Sequence, residues 1–256
     1  MNPLPDAFRN TALAHRALHD DLRPENSLAA AEAALAAGYG MEVDLQPSSD
    51  GVAMVFHDAT LARMTGRDGA VRDFTAVELS QIPLGESEAG IPTLSDLLNL
   101  AAGRVPLLLE LKDQSGGQGG SDGVLEAGTL KALEGYDGPV ALMSFNPAMV
   151  EVLAEMGSAW PLGLTTCDFR AQDWPDMPRR LAEHLARIPD YERLGAQFIS
   201  HDHRDLDSAR VAELKAAGAV IMCWTIRSPE EELAARRVAE TITFEGYRAP
   251  ITAASD

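Results

Sequence analysis

The feature that most constrains this chain is its regular exchange of short apolar runs for longer amphipathic ones. Runs at 12–16, 41–46, 52–57, 105–112, 140–145, 162–166, 196–201, 220–226 and 241–244 have the length of strands, and several are apolar throughout. A strand with no polar side must be covered on both faces, the condition of a parallel sheet layered with helices. The segments 27–37, 93–101, 123–133, 147–156, 178–187, 208–217 and 229–238 supply helical patterning between them. Ser27 stands at an N-cap and Gly38 at a helix stop. Pro147 and Pro229 open helices, where a missing N–H costs nothing.

About eight strand–helix units in a chain of 256 residues predict a closed (β/α)₈ TIM barrel. The open dinucleotide-binding sheet is disfavoured, since no Gly-x-Gly-x-x-Gly follows the first run. The expectation is one TIM-barrel domain over 1–256, with a small insertion after the second strand region at about 59–92. That insertion is polar, holds Gly66, Gly69, Gly85 and Gly90, and has one short helix candidate at 76–82. The Gly- and Ser-rich stretch 114–123 reads as a mobile loop. Beyond the run at 241–244 little or no closing eighth helix is expected.

Charge narrows the function classes. Thirty-nine Asp and Glu against 21 Lys and Arg leave a net charge of −18, which repels nucleic acid and anionic membrane. A phosphate ligand would need a local positive island. No stretch approaches the length of an apolar membrane span, and the first residues lack the apolar core of a signal peptide. Cys167 and Cys223 sit in apolar runs with no ligand-type spacing and read as reduced core thiols. A cytoplasmic protein acting on a small molecule is expected.

Charged residues recur where the strands end, the end at which a barrel keeps its active site. His15 and Arg16 close the first run, and His57 and Asp58 close the run at 52–57. Glu42 and Asp44 are two apart on one strand and share a face, as do Glu110 and Lys112. Alone, each feature is ordinary: a Glu-x-Asp is usually a solvated face, and a lone His is usually structural. Together they end separate apolar strands. Three carboxylates converging in a barrel mouth repel one another, and a divalent cation resolves this. An all-oxygen set suits Mg²⁺ or Ca²⁺ better than Zn²⁺. Two imidazoles can move protons near neutral pH, while Arg16 and Lys112 suit a phosphate. The combination points to phosphoryl chemistry.

In order and spacing these residues resemble the glycerophosphodiester phosphodiesterases over nearly the whole chain. The matching segments are His15-Arg16-Ala17, Pro24-Glu25-Asn26-Ser27, Glu42-Val43-Asp44, Asp50-Gly51, His57-Asp58, Ile91-Pro92-Thr93-Leu94, Glu110-Leu111-Lys112, Ser144-Phe145-Asn146 and Trp224-Thr225. The resemblance implies a TIM barrel with Glu42, Asp44 and Glu110 as metal ligands and His15 and His57 as the general acid–base pair. It implies that Arg16 and Lys112 hold the phosphate, and that 59–92 is the small cap such enzymes carry over the barrel mouth. Trp224 reads equally as a residue packing on the bound alcohol group and as a core tryptophan.

Two departures stand out. Ala17 replaces the family's usual Gly, which is harmless unless that position demands a positive φ; the harmless reading is preferred. The usual Thr-Asp before the last loop becomes Phe244-Glu245, which places substrate contacts at the eighth strand in question. His201, Asp202 and His203 read as a polar strand-end loop, and His19 and His184 as solvated.

The leading expectation is metal-dependent hydrolysis of a glycerophosphodiester to sn-glycerol 3-phosphate and an alcohol, with His15 as base and His57 as acid. A lysophospholipase D or phospholipase-like lyase is the alternative. It needs an apolar groove, and the insertion offers only Leu61, Met64, Phe74 and Leu79, so a small head group is favoured. A silent phosphodiester-binding barrel is a third reading, disfavoured because both histidines and all three carboxylates are present.

Overall fold

The apolar runs become strands buried on both faces. The computed structural model describes residues 3–115 and 119–251. Its strands are β1 (Leu13–Ala14), β2 (Gly40–Pro47), β3 (Ala53–Val55), β4 (Leu107–Leu111), β5 (Val140–Ser144), β6 (Leu162–Thr166), β7 (Phe198–Asp202), β8 (Val220–Ile226) and β9 (Thr241–Phe244). Except for β3 they run parallel, in the order β1-β9-β8-β7-β6-β5-β4-β2, and β1 pairs with β2 to close the ring. The chain is an eight-stranded parallel barrel surrounded by helices, a TIM barrel.

Alternation along each strand divides the apolar residues into two sets. Val43, Leu45, Leu109, Leu142, Leu164 and Ile221 join the surrounding helices in one buried cluster. Leu13, Leu108, Ala141, Phe198 and Met222 form a second cluster inside the barrel, completed by Leu4 and by Phe8 from the short helix Ala7–Asn10. Filling that interior requires bare backbone opposite the large side chains. A Cβ on Gly163 would lie 2.3 Å from the Phe198 ring, and one on Gly40 would lie 2.5 Å from Leu13. The floor is therefore packed solid, and the polar residues of the same inward rows are left for the C-terminal end.

Local chemistry sets the helix starts. Ser27 accepts from the Ala30 N–H to cap Leu28–Ala37, and Gly38 ends that helix with φ +76°. Thr93 and Asp96 cap Leu94–Ala101 reciprocally, and Asn146 and Ser228 cap the helices that Pro147 and Pro229 open.

The segment 52–57 is not a barrel strand. It yields β3, which lies antiparallel to β2 from Leu45↔Val55 to Pro47↔Ala53. The reason is the brevity of β1: it pairs only with Gly40 and Met41, leaving the rest of that edge of β2 bare. Residues 59–92 hold more structure than the single helix expected there. Helices Ala62–Thr65 and Ala76–Leu79 flank a 3₁₀ turn at Val71–Asp73, around a small core of Phe56, Leu61, Val71, Leu79, Ile82 and Ile91. Elements of four residues show no periodicity in sequence, so only the capped one was visible. Of the loop expected at 114–123, residues 116–118 lie outside the described residues. Among the described residues no helix follows β9, and no helix is long and apolar enough to cross a membrane.

Candidate active site

At the C-terminal ends of the strands, the inward rows change from apolar to charged. Glu42 and Asp44 face inward from β2, and Glu110 faces inward from β4, in register with Asp44. All three are buried, and one carboxylate oxygen from each lies within 4.8 Å of the others. Lys112, just beyond β4, turns into the same cluster: its ammonium lies 2.7 Å from Asp44 Oδ1 and also bonds Glu110. Burial alone would lower the Lys112 pKa, but Asp44 and Glu110 hold it above the ordinary lysine value, so it stays charged. Burial alone would raise Asp44; Lys112, His57 and Arg16 hold it well below the usual carboxylate range instead. Glu42 goes the other way, pushed well up by burial and by the negative charge of Asp44 and Glu110. Three carboxylates crowded beside Lys112 and Arg16, with Glu42 kept from ionising by burial and by the other two, offer hard oxygen donors that fit a divalent cation of the Mg²⁺ or Ca²⁺ type.

Around this cluster the β1 end is folded back. His15 donates its backbone N–H to Phe244 O, and Arg16 donates its own to Glu42 Oε2 at 3.1 Å. Arg16 and Ala17 both adopt left-handed conformations, with φ of 51° and 62°. The unstrained backbone preferred at Ala17 is therefore absent: the turn does demand positive φ, at a cost of about 1–2 kcal/mol for a residue with a Cβ. Core packing of the buried Ala17 methyl and a hydrogen bond from its N–H to Glu42 O hold the turn in place. The Arg16 guanidinium donates to Glu25 at 2.9 Å, with its Nε 3.5 Å from Asp44.

Each histidine is backed by a carboxylate. His15 Nδ1 bonds Glu245, and its Nε2 lies 3.9 Å from Glu42. His57 Nδ1 lies 2.6 Å from Asp58, which is itself held by Arg63. Burial, followed by the charge of Lys112, holds the His57 pKa below its ordinary value. The hydrogen bond from His15, with His19 and Arg227 also close, holds Glu245 far below the carboxylate range. Trp224 donates its indole N–H to Ser200 O at 3.0 Å and meets Phe145 edge to face.

A single cavity of about 190 Å³ is lined by His15, Arg16, Glu42, Asp44, His57, Glu110, Lys112 and Trp224 together. All eight residues singled out in the sequence thus meet. Sequence reasoning missed four supporting residues. Asn26 brackets Asp44 through both ends of its amide, although its Pro-Glu-Asn-Ser segment had been noted. Asp58 was read only as part of a pair. Arg227 lines the cavity and bonds Glu245 at 2.9 Å. Glu245 was treated as a departure, yet its position at the end of β9 follows the same strand-end rule as the others.

Other expectations change. His201 is not in a loop; it is buried within β7, hydrogen-bonded to Thr166 at 2.8 Å and 3.2 Å from Asp205. His19 is only partly exposed, and its Nε2 is buried. His184 is half-exposed, as expected. Cys167 and Cys223 are buried and unpaired, and burial pushes the Cys167 thiol up to about 12, which leaves it unreactive.

The glycerophosphoryl diester phosphodiesterase family matches residues 15–242. A glycerophosphodiester phosphodiesterase of Caldanaerobacter subterraneus subsp. tengcongensis is 32% identical over 171 residues, covering 61% of this chain and 67% of that protein. The structure of an Oleispira antarctica phosphodiesterase, in complex with the product sn-glycerol-3-phosphate, superposes with a TM-score of 0.75 at 23% identity, covering 91% of this chain and 92% of that one. The Thermotoga maritima glycerophosphodiester phosphodiesterase superposes with a TM-score of 0.69 at 19% identity, covering 95% of both chains. At these identities the two structures attest the barrel fold.

Proposed function

Because this chain belongs to the glycerophosphoryl diester phosphodiesterase family, and so is a phosphodiesterase, we propose that it hydrolyses glycerophosphodiesters to sn-glycerol 3-phosphate and an alcohol, with a divalent cation and two histidines. The observation that carries this reading is the convergence of three buried carboxylates, two carboxylate-backed histidines and two cations on one cavity. The product bound to the Oleispira antarctica relative supports the same product here.

Glu42, Asp44 and Glu110 would hold the ion, with Mg²⁺ or Ca²⁺ suited to their hard donors. When bound, the ion supplies Lewis-acid charge that favours the anionic forms of phosphate and nucleophile. Lys112 and Arg16 place two further positive charges at the phosphate position, an island within a strongly acidic protein. Glu245 accepts from His15 Nδ1, which leaves the Nε2 lone pair directed toward the cavity and stabilises the ring once protonated. His15 takes one proton of the attacking water as the water oxygen bonds phosphorus. The bond from phosphorus to the alcohol oxygen breaks, and His57, protonated for this step and favoured in that form by its hydrogen bond to Asp58, gives its own proton to that oxygen. Trp224 and Phe145 form an aromatic wall beside the departing alcohol.

The wall also supports a second reading. Phe145 is shared with an adjoining cavity of about 390 Å³ lined by Pro147, Trp174, Met177, Leu181 and Leu185, an apolar groove outside the insertion where sequence reasoning sought one. That groove suits a substrate with a single acyl chain, as a lysophospholipase D requires. A reducing compartment such as the cytoplasm fits the two free cysteines.

A panel of glycerophosphodiesters and lysophospholipids, assayed with Mg²⁺ or Ca²⁺ and detection of both glycerol 3-phosphate and lysophosphatidic acid, separates the readings. Release of glycerol 3-phosphate from short-head-group diesters is expected. Release of lysophosphatidic acid alone favours the second reading, and no turnover of either class overturns both.

A further inference from the structure

We propose that His15, His19 and Glu245 form a second metal site, one for Zn²⁺, whose occupation switches the enzyme off. One ring nitrogen from each histidine and one Glu245 oxygen lie within 4.8 Å of one another. His19 Nε2 is buried, has no hydrogen-bond partner among the described residues, and stands 3.9 Å from Glu245 Oε2, beyond hydrogen-bonding reach. A buried nitrogen left unpaired costs stability, and an ion between it and the carboxylate removes that cost. The left-handed turn at Arg16 and Ala17 brings His19 there, closed by a bond from the His19 N–H to Ala17 O.

Donor chemistry separates this site from the carboxylate cluster. Two imidazole nitrogens and one carboxylate suit Zn²⁺, which takes three such ligands and leaves a fourth position open. Arg227 engages Glu245 Oε1, so the oxygen offered to the ion is Oε2, which here bonds His15 Nδ1. A cavity of about 560 Å³, lined by His19, Asp20, Asp21, Glu245 and Arg248 among others, connects the site to solvent.

The inhibitory consequence rests on the reading of His15 as the base. Coordination through Nδ1 replaces the hydrogen bond to Glu245 and moves the neutral ring's proton to Nε2. A nitrogen that carries a proton cannot accept another, so the base is locked without any obstruction of the phosphate cavity.

The test titrates Zn²⁺ into the full chain held in saturating Mg²⁺, with a chromogenic zinc indicator reporting bound ion and a diester assay run in parallel. The wild type is expected to bind one Zn²⁺ and lose turnover. His19→Asn is expected to keep its turnover in Mg²⁺ alone and to weaken both Zn²⁺ binding and inhibition by at least about tenfold, the lower end of what loss of a metal-supporting group costs. His19→Gln repeats the measurement, with thermal unfolding showing that each variant is folded. Zn²⁺ binding that is equal in wild type and both variants overturns the site. Binding that depends on His19 but leaves turnover unchanged upholds the site and overturns the base role of His15.

Discussion

Asn26 brackets Asp44: its side-chain amide donates to Asp44 Oδ2 at 2.8 Å, and its side-chain carbonyl accepts the Asp44 backbone N–H at 3.2 Å. The carboxylate is thereby held in one orientation from the loop that precedes the helix Leu28–Ala37. Replacing Asn26 with Ala is expected to weaken Mg²⁺ affinity by about 10–100-fold, the usual cost of losing a partner that orients a metal ligand. Calorimetric titration of Mg²⁺ measures it, and an unchanged affinity would show that Asp44 needs no such support.

Chelation is expected to abolish turnover, with Mg²⁺ or Ca²⁺ restoring it. Binding to the native state alone also adds stability, about 2.7 kcal/mol at a hundredfold excess over Kd. A chelated protein that retains full activity, with metal analysis showing none bound, would sink the carboxylate site.

The same cluster predicts a pH dependence. The folded Glu42 pKa lies above the unfolded value, so its contribution to stability is present below that value and lost as pH rises through the folded one. Asp44 is shifted the opposite way and contributes only above its unfolded pKa, losing that as the solution acidifies. Between the ordinary glutamate pKa of about 4.3 and neutrality, the chelated protein should therefore lose thermal stability as Glu42 ionises. Mg²⁺ should reverse most of that loss, because it favours the ionised form. A flat profile in chelator, identical to that in Mg²⁺, contradicts the reading.

Lys112→Ala should leave the protein folded but cut turnover, because the ammonium faces the cavity and not the helical layer. Loss of its charge should also raise the Asp44 pKa. Steady-state kinetics and thermal unfolding distinguish a phosphate-binding role from a structural one: the structural role predicts a loss of stability with kcat/KM intact.

Changing either His15 or His57 to Ala is expected to cost on the order of 10²–10⁴-fold in turnover while sparing Mg²⁺ binding at the carboxylate cluster. The double variant should lose less than the product of the two, since groups acting as a unit are not additive. A diester with a leaving group of low pKa, such as p-nitrophenol, should partly rescue His57→Ala and not His15→Ala. Rescue of the opposite variant would exchange the two roles.

The fold was legible because barrel strands are covered on both faces, and that constraint writes itself as apolar runs such as 105–112 and 220–226. The candidate site was legible too, though only in combination: a single Glu-x-Asp is ordinary, but Glu42, Asp44 and Glu110 end apolar strands together with His15 and Lys112. Local patterning carries no information about pairing across the chain. Which edge of β2 was bare depended on the length of β1, so the antiparallel pairing of β3 outside the barrel could not be read from its apolar run. The positive φ at Ala17 comes from the turn that brings Arg16 to Glu42, and sequence spacing cannot report a backbone angle. The pairing of His15 with Glu245 joins residues 230 positions apart, and only closure of the barrel between β1 and β9 brings them together. Residue types and strand ends were thus set by local chemistry, whereas hydrogen-bond partners, protonation and the buried nitrogen of His19 were decided by tertiary contact.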